Sequence, residues 1–138
     1  GVYTGLVFGH YNYGETLGIK AFSVPVLIGT NWMMLTYCAH IIVDGLKMPL
    51  AAKVSLGALL MTAYDWLMEP AAMMLGMWDW AGGHIPVQNY LAWFIISWAF
   101  LMALRLGRIR YRNALAGFIF VLQAGFFALY QILERLLP

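Results

Sequence analysis

The chain has 138 residues, of which 63% are hydrophobic and 10% charged, against about 25% charged in an ordinary soluble domain. Eight Lys and Arg with six Asp and Glu cannot coat a water-soluble particle of this size, and they leave no basic face for nucleic acid. Six Trp, eight Tyr and eight Phe point the same way, because aromatic belts gather at membrane interfaces, so the chain reads as an integral membrane protein. A single cysteine, Cys38, permits no intramolecular disulfide.

In chain order, the first eleven residues read as the tail of a helix. Gly1, Gly5 and Gly9 recur every four residues, a spacing that puts them on one helical face and lets a neighbour approach closely. Gly14 and Gly18 then loosen the chain. Four stretches are long enough to cross the hydrocarbon core, at about 20 apolar residues each: residues 21–43, 50–68, 86–104 and 113–133. The second has an apolar continuation to Leu75, and Pro86 suits a first-turn position, where its missing N–H does no harm. No alternation with a period of two suggests a β-barrel. The expected fold is therefore all-α: one domain over residues 1–138, a polytopic transmembrane bundle of four full spans plus the tail of a fifth helix. Opening without Met and in mid-pattern, it reads as part of a longer chain.

Orientation follows from the basic residues. Arg105, Arg108, Arg110 and Arg112 hold four of the eight positive charges in one short connection, and such loops stay on the cytoplasmic side of the cell membrane. Lys47 and Lys53 fall on that same side by alternation. Residues 76–85, which lack Lys and Arg, fall on the other, together with residues 10–20.

Asp65 and Glu69 stand four residues apart near the non-cytoplasmic end of the second span, which places both carboxyls on one helical face. A charge at membrane depth costs roughly 2.5–3.5 kcal/mol even on the lenient insertion scale, and low-dielectric surroundings favour the protonated form of a carboxyl. Such a pair can hold one proton near neutral pH, as a general acid requires. Pro70 removes the bond to the carbonyl of Trp66 and either kinks the helix beside the pair, making room for a cavity, or ends it. The loop that follows carries Trp78, Asp79, Trp80 and His84, and the third span opens with Gln88 and Asn89, with Trp93 one turn further on. By the charge-derived topology these residues gather at one membrane face with the Tyr11-Asn12-Tyr13-Gly14-Glu15 stretch. Asn31 and Gln123, both mid-span, are expected to hydrogen-bond between helices, and His40 to be an interfacial residue. The three histidines have no partner at helical spacing, so neither a metal site nor a resident cofactor is expected.

The runs Asp65-Trp66-Leu-Met-Glu69-Pro70-Ala71, Gly76-Met-Trp78-Asp-Trp80 and Ile85-Pro86-Val-Gln88-Asn89-Tyr90-Leu-Ala-Trp93-Phe94 resemble the carotenoid biosynthesis membrane proteins, which include the carotenoid 1,2-hydratases. Gly9-His-Tyr11-Asn-Tyr13-Gly-Glu-Thr-Leu17-Gly18, with Val24-Pro25, is similar to the lead into a span in that family. The likeness covers roughly residues 1 to 105, and departs from the family pattern at Gly83-His84 and Ala92.

The resemblance implies a lyase-type hydration of the terminal double bond of a polyene, either lycopene-like or a bacterioruberin precursor, in contact with membrane lipid and without a cofactor. Protonation gives a tertiary carbocation that water captures. In that reading Asp65 is the acid and Glu69 its partner, with the reverse assignment open. Gln88 and Asn89 hold the water, and Trp66, Trp78, Trp80, Trp93, Tyr11 and Tyr13 line the substrate. Small membrane lycopene cyclases, more distantly similar, carry acidic residues where this chain has Gln88 and Asn89, which speaks against cyclisation. A non-catalytic carotenoid-binding subunit, packed with partner membrane subunits in a pigment–protein complex, is the alternative. A small proton channel using Asp65 and Glu69 as a relay is a third reading.

Overall fold

Proline sets three of the four helix starts. In the computed structural model, which describes residues 4–109 and 113–137, Pro25, Pro49 and Pro86 stand in extended conformation immediately before α1 (Val26–Asp44), α2 (Leu50–Met74) and α3 (Val87–Leu106). A ring fixed near φ −65° with no N–H to satisfy is suited to a helix entrance. The fourth helix, α4 (Ala114–Leu136), is capped instead by Asn113, whose side chain accepts from the Leu115 amide.

Three helices, α1, α3 and α4, are long and apolar enough to cross a membrane. The remaining one, α2, is the longest at 25 residues but carries Lys53, Asp65 and Glu69. It can do so because it is the central helix. It packs against α1, α3 and α4, and its buried residues fall at 54, 57, 58, 61, 64, 65, 68, 69, 71 and 72, the three-and-four spacing of one helical face. The outer helices turn Phe100, Phe118, Val121, Leu122 and Leu129, among others, outward.

Polar side chains tie the helices together. Gln123 donates to Asn31 and accepts from the Tyr64 hydroxyl, each at 3.0 Å, joining α4 to α1 and α2 as expected of two mid-span amides. At the far end, Asp44 closes α1 onto α3 through Arg105 and onto α2 through Lys53. His40 lies fully buried, 2.7 Å from the Ile109 carbonyl oxygen in the basic connection. A Cβ on Gly57 would meet the Leu101 Cδ1 at 2.8 Å, so the missing side chain leaves room for Leu101 of α3 against α2.

The structure corrects three expectations. The first span begins at Val26 rather than Ala21, because Pro25 cannot donate and holds Val24 extended. The two strands β2 (Lys20–Ala21) and β3 (Val24–Pro25) form a small hairpin there instead. Pro70 does not end the second helix, which continues to Met74. The described part of the N-terminal segment is no helix tail. Residues 4–10 form turns, β1 (Tyr11–Tyr13) is a strand, and Gly5 and Gly9 sit at φ +62° and +104°, the left-handed region that no α-helix uses. Their four-residue recurrence marks two turns rather than a face, and Gly1 lies outside the described residues. So do Arg110 and Arg112 of the basic connection.

The segment reaches across the bundle as a strap. β1 pairs antiparallel with β4 (Trp78–Trp80), setting Tyr11 opposite Trp80 and Tyr13 opposite Trp78. The pairing is extended by the Gly14 amide, which donates to the Met77 carbonyl at 2.9 Å. A Cβ on Gly14 would lie 2.1 Å from the Gly76 carbonyl oxygen, a clash with backbone that no rotamer relieves. Gly14→Ala is therefore expected to cost about 1–3 kcal/mol, as overpacking does, read as a lower thermal unfolding midpoint in detergent. An unchanged midpoint would show that the strap does not hold the bundle.

Candidate active site

Two carboxyls are buried inside the bundle, level with the first turn of α3. Asp65 and Glu69 are 1% and 2% exposed, on the inward face of α2. Burial of a carboxyl is tolerated only where donors replace the lost water, and three residues supply them. Asn89, in the first turn of α3 and itself 1% exposed, donates its amide to Asp65 Oδ2 at 2.8 Å and to Glu69 Oε1 at 3.2 Å. The indole N–H groups of Trp78 and Trp80 both donate to Glu69 Oε2, each at 2.8 Å.

The two carboxyls are not equivalent. Glu69 accepts three N–H bonds, an arrangement suited to a carboxylate. Asp65 accepts one, and its Oδ1 is buried with no hydrogen-bond partner among the described residues. That oxygen is the place where the pair can carry a proton.

The β1–β4 pairing explains why both tryptophans point inward. Side chains alternate along a strand, so Trp78 and Trp80 share one face and are buried while Asp79 between them is exposed. Tyr11 and Tyr13 come from the facing strand on that same side. Their rings continue the wall: Tyr11 lies 4.9 Å from Trp80, Tyr13 6.0 Å from Trp78, and Phe8 5.0 Å from Trp93. Trp93 in turn stacks flat on Trp32 of α1 at 3.8 Å. Burial pushes the Tyr11 and Tyr13 phenols above their usual range, so both remain neutral near pH 7.

These side chains enclose a cavity of about 30 Å³, room for a water molecule or two. Asp65, Glu69 and Asn89 supply its polar wall, and its rings are those of Phe8, Tyr11, Tyr13, Trp32, Trp78, Trp80 and Trp93. The arrangement unites two buried carboxyls, water-sized space and electron-rich ring faces able to attract a cation.

Eight of the ten residues singled out from the sequence meet here: Asp65, Glu69, Asn89, Trp78, Trp80, Trp93, Tyr11 and Tyr13. Two do not. Trp66 is 66% exposed and lies with Pro70 and Gln131 in a groove beside α4, because one helical step from Asp65 turns a side chain about 100° away. Gln88 holds the strap instead, donating to the Leu6 carbonyl. Asp79, His84 and Glu15 are exposed and contribute nothing to the cavity. Sequence reasoning missed Phe8 and Trp32. The first lay in the supposed helix tail, and the second sits in a span too uniformly apolar to reveal an inner face.

A helical bundle with apolar outer helices, closed by an aromatic strap over an internal carboxyl-lined cavity, is the class of protein that this geometry defines. The chain belongs to the carotenoid biosynthesis protein family, whose pattern matches residues 1–134. The match runs past the strap and all the cavity residues into α4. No curated protein and no solved structure matches the chain.

Asn89→Leu keeps the volume and removes the donor shared by both carboxyls. Leaving buried acceptors unpaired costs about 1–3 kcal/mol, so the variant is expected to unfold at a lower temperature than wild type, by circular dichroism in detergent. In the Asp65→Leu background the same change should cost measurably less, because one of the two acceptors is gone; equal costs would mean that Asn89 does not bridge the pair.

Proposed function

We propose that this member of a carotenoid biosynthesis family hydrates the terminal carbon–carbon double bond of a long polyene, with Asp65 as the acid. The observation that carries the reading is the asymmetry of the buried pair, one carboxyl held by three N–H donors and the other with a free buried oxygen. Asp65 Oδ1 gives its proton to the less substituted carbon of the double bond, and the π electrons form the new C–H bond. A tertiary carbocation remains on the more substituted carbon. Glu69, held as an anion, and the faces of Trp80, Trp93 and Tyr11 stabilise that charge. A water in the cavity attacks the cation, and the proton it releases returns to the Asp65 carboxylate. The balance is one alkene and one water to one tertiary alcohol, with no oxidant, metal or nucleotide needed.

In the membrane, all four helices cross as a multi-pass bundle. The end bearing Arg105 faces the cytoplasm and the cavity lies near the opposite face, since sixteen residues of α3 put about 24 Å between Asn89 and Arg105. Substrate then comes from the lipid phase rather than from water.

Expression in cells that accumulate an acyclic carotenoid, followed by liquid chromatography and mass spectrometry of the pigments, tests the reaction. Wild type is expected to yield a product heavier by one water. Asp65→Asn should lower conversion by about 100-fold or more, the scale of a lost general acid, and Glu69→Gln should also lower it while the protein stays folded. Conversion persisting in both variants would overturn the proposal. Pigment bound by wild type but left unchanged would point to a carotenoid-binding subunit.

A further inference from the structure

Six residues around the carboxyl cavity, Phe8, Tyr11, Tyr13, Ile28, Trp32 and Trp93, also line a larger hollow of about 500 Å³ between α1 and α3. The two spaces therefore adjoin, with the stacked Trp32–Trp93 pair in the wall of both. Beyond the pair the hollow runs between Gly29 and Met33 on α1 and Ile96 and Phe100 on α3. It carries no charged side chain, and from Trp93 to Phe100 it extends about 10 Å along the helix axis. Met33 and Phe100 are 73% and 53% exposed, so it opens sideways, through the apolar surface of the bundle.

Gly29 is the narrow residue of this groove. A Cβ placed on it would meet nothing within 4 Å, so no neighbouring protein atom requires a glycine there, and the α-helix would be more stable with almost any other residue. The empty space beside it belongs to the groove. A second hollow of about 570 Å³ lies between α1 and α4, but it shares only Ile28, Met68 and Trp78 with the carboxyl cavity. Its wall also carries the hydrogen-bonded amides of Asn31 and Gln123, a poor lining for a hydrocarbon.

We propose that the α1–α3 groove holds the hydrocarbon chain of the polyene with its terminal double bond in the carboxyl cavity, and that Gly29 sets the width that admits the chain. The inference rests on the hydration reading for the identity of the occupant. It adds the path of the substrate and a residue that determines which substrates fit.

The test compares wild type, Gly29→Phe and, in the other hollow, Leu122→Trp, each expressed in cells containing an acyclic carotenoid. Two quantities are read: carotenoid absorbance co-purifying per chain, and conversion to the hydrated product. A short ten-carbon isoprenoid with the same terminal double bond, too small to need the groove, serves as a second substrate. Gly29→Phe is expected to lower both pigment retention and polyene conversion about tenfold or more, in the range that steric exclusion from an apolar pocket supplies. It should leave conversion of the short isoprenoid and the unfolding temperature near wild type, and Leu122→Trp should change none of these. Retention and conversion unaltered in Gly29→Phe, or lost in Leu122→Trp instead, would overturn the groove assignment. Pigment retained by wild type, lost in Gly29→Phe and never hydrated would uphold the groove and overturn the hydration reading. Neither binding nor conversion by wild type would overturn both.

Discussion

Two carboxyls one helical turn apart, buried in a bundle with almost no other polar groups around them, are the constraint from which the rest of the arrangement follows. Neither can reach bulk water, and an unpaired buried carboxyl is costly. Donors must therefore be brought to them from outside α2. Asn89 is placed by the start of α3, and that start is fixed by Pro86. Trp78 and Trp80 are placed by the short strand after α2, which stays extended because it pairs with β1. The N-terminal strap thus supports the carboxyl pair by holding the indole donors against Glu69.

The same strap decides the lining of the cavity. Because side chains alternate along paired strands, one face of β1 and β4 delivers four aromatic rings inward while Asn12 and Asp79 stay outside. Rings are suited to this place: they shield the carboxyls from bulk water, their faces can attract a cation, and Trp78 and Trp80 also carry the N–H groups that fix Glu69. Stability and the asymmetry of the pair are then coupled. The contacts that make the buried pair tolerable also separate its two members into a fixed acceptor and a group with an oxygen left over.

Apolar helices that face lipid carry little information about which side is inner, and this limited what could be read in advance. Helix existence and order were legible, because proline entrances and long apolar runs speak for themselves. A face was marked only in α2, where Asp65 and Glu69 break the uniformity. Trp66 illustrates the failure. It is adjacent to Asp65 in sequence and chemically plausible, yet it points outward by helical geometry. Trp32 illustrates the converse, an unremarked ring in an apolar span that stacks on Trp93 in the wall of the cavity.

The sequence by itself determined that the chain is a bundle of apolar helices, that Asp65 and Glu69 share a helical face, and that Trp78, Trp80, Asn89, Tyr11 and Tyr13 fall toward one end of it. Those are consequences of composition, of helical period and of alternation along the chain. Only the tertiary structure decided that residues 4–13 are a strap and not a helix, that its pairing with β4 turns two indole donors onto Glu69, and that Asp65 keeps a free oxygen beside a water-sized cavity. The reason is physical: strand pairing across 67 residues and hydrogen bonds between separate helices depend on which elements meet in space, and no local pattern in the chain encodes that.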